Sequence, residues 1–553
     1  DEGVMPQTRE HFEICRLLGL DHGVIALTKT DLTDPETLEL ARLDVAELVT
    51  GSFLETAPMI PVSSKTGDGI DELKEVLVRA AHGTTSREDR FVTFLPVDRS
   101  FTMKGFGTVV TGTLNSGEIA EGDELALLPD DIRVRVRGVQ SHGQKAEKVG
   151  PGRRTAVNLA GVNHDQVTRG MVLTARDVLQ PTSLMDCEIE MLKDAPRSLN
   201  TRQRVRVHVG TAEVLARVQV LNDVMEVAAG GSDLVQLRLE SPVAGLPGQS
   251  LIIRSYSPQI TIGGGTVLDI DPQKHRRRDI ASSRAFLVGI SAALSDDREW
   301  LEKLVANSGL HGMTLANLRV RTALTDTRLA AALDEAIEAG TLKEGGGCYV
   351  TAEVFATIEQ NLLVALESFH KSEPLSIAMG REALLDKIRT VPMELSAAVL
   401  VNLAIAEKIV QEVEGLRLAS HASQLEGDDA LVADRIVKMY ADAKLEVPRL
   451  DEVLAAAIAG TKMPQPQARK LLQLLVSKGE IVKVTDEFYF SRAVIDDTIT
   501  KLRDYAATTT DRMIDVPKFK ELTGVSRKYA IPLLEYFDGE RITRRAGDKR
   551  MVI

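Results

Sequence analysis

Two short segments near the start of the chain, Thr28-Lys29-Thr30-Asp31 and Ser63-Ser64-Lys65, combine residue types suited to recognising a guanine base. A carboxylate can accept two parallel hydrogen bonds from the N1 and N2 donors that guanine has and adenine lacks, so Asp31 is the expected base selector. Lys29 can lay its methylene stem along the purine face while its ammonium stays in water, and Thr28 can bond locally to hold the loop. In the second segment, Ser63-Ser64-Lys65, the backbone N–H groups of the small residues that end the strand are expected to approach the guanine O6. Both segments follow apolar runs, Val24–Leu27 and Met59–Val62, separated by a helical pattern over Glu36–Val49. That is the layout of strand ends in a doubly wound α/β fold. Phosphates need a glycine-rich loop ending in Gly-Lys-Ser/Thr at a helix N-terminus, and no such motif occurs in the 553 residues. The chain opens at Asp1 in mid-pattern, so the expectation is that an N-terminal piece has been lost. No catalytic residue and no metal ligand is therefore assigned.

The elements that must position these groups divide the chain into regions. Residues 1–87 alternate helix and strand, as the second half of an α/β domain does. From Phe91 to Ile270 the pattern changes to short β runs with glycine turns, including Phe91–Val97, Ile132–Val136 and Val205–Val209. Two consecutive β-barrels, over 88–176 and 177–270, fit that length. A basic stretch, Lys274-His275-Arg276-Arg277-Arg278, marks a linker over 271–282, read equally well as a solvated connection or an RNA-phosphate contact. Beyond it a loose repeat of about 60–70 residues combines helices, a final apolar helix and a β-hairpin. This is the winged-helix plan, in four units over 283–352, 353–422, 428–493 and 494–553. The first three read as spacers.

The last unit carries the clearest nucleic-acid signal. Ser526 is placed as an N-cap, Arg527-Lys528-Tyr529 opens the recognition helix, and Arg544, Arg545, Lys549 and Arg550 lie on the following hairpin. Residues 517–553 hold nine Lys/Arg against five Asp/Glu, in a chain whose net charge is −13. A uniformly nucleic-acid-coating protein is thereby excluded, and RNA contact must use such local patches. Tyr529 could pack on a sugar or an unstacked base, or else lie in the core. The cysteines Cys15, Cys187 and Cys348 are far apart with no metal spacing, which suits a reducing compartment. No apolar run reaches the ~20 residues that cross a bilayer.

The two opening segments, together with Val97-Asp98-Arg99-Ser100-Phe101-Thr102-Met103-Lys104-Gly105-Phe106-Gly107 continuing to Thr113, resemble a translational GTPase of the elongation factor Tu type. With four winged-helix units added, the whole chain resembles the bacterial selenocysteine-specific elongation factors. The fold implied is multidomain: a partial α/β P-loop-type GTPase domain, two β-barrels and four winged-helix units. The resemblance further implies a cytoplasmic monomer that uses GTP and Mg2+, delivers selenocysteyl-tRNA to the ribosome at in-frame UGA codons, and holds an mRNA hairpin with its C-terminal unit. It implies a selenocysteyl pocket of Asp98, Arg99 and Arg154, with Arg153 a competitor for Arg154. The alternatives are an elongation factor Tu-like GTPase with a different cargo, or a non-catalytic winged-helix RNA-binding protein.

Overall fold

The computed structural model describes residues 3–82, 90–103, 107–374, 376–413, 415–421, 427–509 and 512–553. Asp1, Glu2, Lys104-Gly105-Phe106 of the barrel motif, the joint expected at 87/88 and residue 422 at the edge of the second winged-helix segment lie outside them. The chain divides into two compact units, Asp1–Phe355 and Ala356–Ile553.

In the first unit, the strands Ile25–Leu27 and Met59–Pro61 pair in parallel, with Leu27 opposite Pro61. The helix Pro35–Val49 connects them, and Ile70–His82 follows. Asp34 starts the connecting helix by accepting the N–H groups of Glu36 and Thr37 at 3.0 and 2.9 Å, satisfying donors that a helix N-terminus leaves orphaned. Gly69 has φ +69°, and a Cβ there would lie 2.1 Å from the Pro61 carbonyl oxygen. Only glycine lets the last helix begin this close to the strand.

Six antiparallel strands form the first barrel, in the order Arg154–Ala160, Gly107–Thr113, Phe94–Met103, Val172–Ala175, Glu124–Leu128 and Ile132–Ser141, which pairs back to the first. The expected strand over Phe91–Val97 begins only at Phe94. Phe91 and Val92 pair instead with the first winged-helix unit, the Val92 N–H donating to the Ala323 carbonyl at 2.9 Å. The second barrel closes from Thr182–Met191 to Thr261–Asp269. In its strand Arg204–Val209, alternation buries Val205, Val207 and Val209, as expected for a sheet with one apolar face.

The basic linker is anchored rather than simply solvated. The His275 ring nitrogen Nε2 lies 2.6 Å from the fully buried Asp186 carboxylate, and the Ser283 hydroxyl lies 2.8 Å from Nδ1. Burial pushes the Asp186 carboxyl up, against the pull of His275. Arg321 of the first winged-helix unit forms a two-point ion pair with Asp269 of the barrel, with side chains 15% and 1% exposed. Burial lowers the Arg321 pKa, but Asp269 outweighs it and the guanidinium is raised. Leu221, Leu234 and Leu268 of the barrel share an apolar core with Trp300, Leu304 and Leu333 of that winged-helix unit.

In the second unit, the helices Arg381–Asp386 and Met393–Ile405 precede a hairpin of Ile409–Glu412 and Gly415–Leu418. The next winged helix runs from Asp428–Asp442 to the hairpin Ile481–Lys483 with Tyr489–Ser491. The last has Val516–Thr523 and Arg527–Gly539 packed on a three-stranded sheet of Met513–Ile514, Lys549–Val552 and Thr543–Ala546. A single apolar core, from Val432 through Phe490 to Phe537, runs through these two winged helices. Their side chains pack into that one core, which ties the two winged helices together.

Candidate functional site

The parallel strand pair brings the two guanine-recognition segments together. The Val62 N–H donates to the Leu27 carbonyl at 2.8 Å, and the Thr30 N–H to the Val62 carbonyl at 3.3 Å. Lys29 takes the left-handed conformation, φ +61°, which turns the loop so that Asp31 faces Ser63. The Ser63 hydroxyl donates to Asp31 Oδ1 at 2.7 Å, and Lys65 Nζ lies 3.9 Å from Oδ2. The Asp31 side chain is 13% exposed. Fixed in this way, the carboxylate keeps lone pairs for two further donors.

Two details differ from expectation. Ser63 is fully buried, its N–H donates to the Asp68 carbonyl at 3.0 Å, and its hydroxyl accepts the Lys65 N–H at 3.2 Å. The Ser63 N–H is thus taken by the loop rather than left for a base, and the Ser63 hydroxyl orients Asp31 instead. Thr28 makes no hydrogen bond among the described residues. The loop is held by the Thr30 N–H, and Thr28 lines an open cavity of about 1140 Å³ with Leu27, Phe12 and Phe53. Among the described residues there is no cluster of His, Cys, Asp or Glu suited to a metal ion.

On the first barrel, register shifts between Val97 and Arg99 opposite the Gly107–Thr113 strand. A bulge of this kind re-aims a side chain, here Asp98. Arg154 donates to both Asp98 oxygens, at 2.5 and 3.1 Å, and Thr111 donates to Oδ1 at 2.8 Å. Partial burial pushes the Asp98 carboxyl up, but Arg154 and Thr111 outweigh it and hold the group below the usual range. Donating to the Asp98 carboxylate raises the Arg154 pKa in turn. The Arg154 side chain stays 54% exposed, and Arg99 is exposed beside the pair. Asp98 thus selects Arg154, not Arg153, as the oriented guanidinium. Thr111 was missed by sequence reasoning, because its place opposite Arg99 is set by strand register that no local pattern encodes.

At the C-terminal tip, Arg527 and Lys528 open the helix Arg527–Gly539, and Arg544, Arg545 and Lys549 lie exposed on the hairpin. Lys528 Nζ sits 5.1 Å from the Tyr529 ring centre. Two expected RNA contacts have other roles. The Tyr529 hydroxyl donates to the Val447 carbonyl at 3.0 Å, and its ring packs edge-on against Phe488 with centres 5.2 Å apart. An aromatic ring so enclosed joins neighbouring winged helices rather than stacking on a base. Arg550 is 8% exposed and donates through Nε to Asp538 at 2.7 Å, while the Thr543 hydroxyl donates to the other Asp538 oxygen at 2.6 Å. Alternation along the hairpin turns Arg550 inward and leaves Lys549 outward. Ser526 sits at the N-cap position without a side-chain cap bond.

Residues 1–82 match the elongation factor Tu GTP binding domain, and 107–174 match elongation factor Tu domain 2. Residues 186–274 match the selenocysteine-specific elongation factor β-barrel domain, and 507–552 match the winged helix of elongation factor SelB. A selenocysteine-specific elongation factor of Desulfomicrobium baculatum is 34% identical over 562 residues, covering 100% of this chain and 86% of the relative. The Escherichia coli (strain K12) protein of that description is 27% identical, covering 100% of this chain and 85% of its own length. A crystal structure of a bacterial selenocysteine-specific elongation factor shares the fold, with a TM-score of 0.63 at 22% identity over 100% of this chain and 84% of that one. With its full length aligned at 34% identity and the matching barrel and winged helix in place, the chain belongs to the selenocysteine-specific elongation factor family of translational GTPases.

Proposed function

We propose that this elongation factor carries selenocysteyl-tRNA to the ribosome at in-frame UGA codons while its C-terminal winged helix holds a hairpin of the same mRNA. A stop codon alone cannot distinguish recoding from termination. A second RNA contact in the same molecule raises the local concentration of the carrier at the right codon. GTP, the nucleotide of the family, is read at its base by Asp31, with Lys29 stacked on the purine and Ser63 fixing the carboxylate; the Ser64 N–H and Lys65 complete the guanine site. Bound GTP supplies the free energy that separates cargo capture from release. The described residues offer no ligand set for Mg2+, so its ligands and those of the phosphates are not assigned to them. A cytoplasmic setting fits this work, and no described helix is long and apolar enough to cross a membrane.

The observation that carries the cargo reading is the Asp98–Arg154 pair with Arg99 beside it. A selenol ionises more readily than a thiol, and an alcohol barely at all, so fixed guanidinium groups favour selenolate over the hydroxyl of a seryl precursor. Asp98 holds Arg154 in one orientation and leaves its outward N–H groups for the cargo, while Arg99 supplies the uncompensated charge. The test is protection of the aminoacyl ester from hydrolysis, in a protein that carries these 553 residues together with a phosphate loop. Selenocysteyl-tRNA should be protected at least tenfold better than seryl-tRNA in the presence of GTP. Equal protection of the two esters would refute the pocket.

A further inference from the structure

We infer that the outer face of the strand Ile132–Ser141 in the first barrel is a second RNA-binding site, in which Arg133, Arg135 and Arg137 take successive backbone phosphates of an RNA double helix. The three arginines alternate with the buried Val134 and Val136, so all three project from the same exposed face. Residues two apart on a strand are separated by about 6.6 Å, comparable with the separation of neighbouring phosphates on one nucleic-acid strand. Residues 132–146 contain no Asp or Glu. The one carboxylate opposite the row, Glu124 across from Arg135, is paired with Arg176 at 3.1 Å. None of the three arginines has an ion-pair partner among the described residues.

Their surroundings keep the row accessible. Arg133 and Arg135 face Ala126 and Ala160 on the neighbouring strands, side chains too short to cover a guanidinium. With Arg176, Glu124 and Gly161 they line a shallow groove of about 320 Å³. Gly161 has φ +88°, and a Cβ there would come 3.3 Å from the Arg133 carbonyl oxygen. The register passes from Asn158 opposite Gly138 to Leu159 opposite Val136. Arg137 is therefore the extra residue of a bulge, the kind of position that re-aims a side chain at a sheet surface.

Like charges in a row on one strand face repel one another and cost stability when nothing neutralises them. An anionic polymer with regular spacing removes that cost. Among the described residues the arginines have no partner that would set them against base edges. The contact is accordingly to backbone phosphates and independent of sequence. It extends the RNA-binding reading of the C-terminal tip, and the two can fail separately.

The experiment uses the full chain with Arg527, Lys528, Arg544, Arg545 and Lys549 changed to Ala, so that the exposed cations of the tip are removed, and a blunt RNA duplex without loop or bulge as probe. Fluorescence anisotropy is followed across a salt series. Changing Arg133, Arg135 and Arg137 together to Gln should weaken binding roughly tenfold or more and lower the slope of log affinity against log salt by about 2–3, at about 0.7–0.9 for each phosphate no longer neutralised. Changing the same three to Lys should keep most of the affinity. Should the triple Gln protein melt early, Arg135→Gln alone decides, with an expected slope change of about 0.7–0.9. Unchanged affinity and slope would overturn the inference. So would displacement of the duplex by inorganic phosphate or polyglutamate at matched ionic strength, since either would mean a single-anion or acidic-peptide site.

Discussion

At the scale of single residues, the useful distinction is between charges that are spent and charges that are available. Arg154 is oriented by Asp98, Arg550 is consumed by Asp538, and Arg99, Arg544 and Arg545 remain exposed. Asp98→Asn removes the counter-charge that aims Arg154, and the preference for selenocysteyl over seryl ester should fall by about tenfold, which is one 1.4 kcal/mol step. Competition between the two aminoacyl-tRNAs would measure it. Histidine gives a pH prediction. His370 and His421 stack with ring centres 3.7 Å apart, and His370 Nε2 accepts the Leu418 N–H at 3.3 Å. Burial first, then His421 and Arg417, lower the His370 pKa from 6.5 to about 4. The folded state therefore prefers the neutral ring while the unfolded chain protonates near 6.5. That stability is fully present above pH 6.5 and is lost as pH falls through about 4, by roughly 3 kcal/mol in total. Denaturant midpoints of the Ala356–Ile553 unit between pH 7 and 4 should show this loss, and His370→Gln should flatten it.

At the scale of elements, the joints between domains are polar locks laid over apolar cores. Arg321→Ala would leave the buried Asp269 carboxylate without its counter-charge, a change expected to cost about 3–5 kcal/mol. The calorimetric transition of the Asp1–Phe355 unit should drop by several degrees, and an unchanged transition would show the pair to be idle. Tyr529→Phe should cost about 1 kcal/mol by removing the donor to the Val447 carbonyl, yet change hairpin affinity less than twofold. These elements also show what the sequence makes legible. Alternation along Ile132–Val136 and Val205–Val209 announces barrels, and helix–helix–hairpin repeats announce winged helices, because both are local patterns of burial. The Asp31 position was legible from residue type and spacing, whereas Asp98 was reached only through the resemblance to elongation factors. What local pattern hides is pairing at a distance. The Tyr529 bond to Val447 spans 82 residues and the His275 contact with Asp186 spans 89, and no periodicity encodes either. For the same reason the cluster near Arg278 read as solvated linker or RNA contact, when its histidine is an anchor.

At the scale of the molecule, a chain of net charge −13 that handles RNA must keep its cations in separate places. The basic tip, the proposed Arg99–Arg154 pocket and the proposed arginine row of the first barrel would be three such places, on a framework whose net negative charge discourages indiscriminate coating by RNA. Such a layout should show strong salt dependence. If six phosphates are neutralised at the tip, hairpin affinity should fall by roughly three decades between 50 and 200 mM salt. The most direct measurement is the affinity of the full chain for a selenoprotein-mRNA hairpin and for the same hairpin with a scrambled loop, before and after Arg527, Arg544 and Arg545 are changed to Ala. The native tip should prefer the true hairpin and lose at least tenfold in affinity on substitution, with a salt slope shallower by about 2–3. Equal binding of the two hairpins, or an affinity untouched by the three substitutions, would contradict hairpin recognition by this tip.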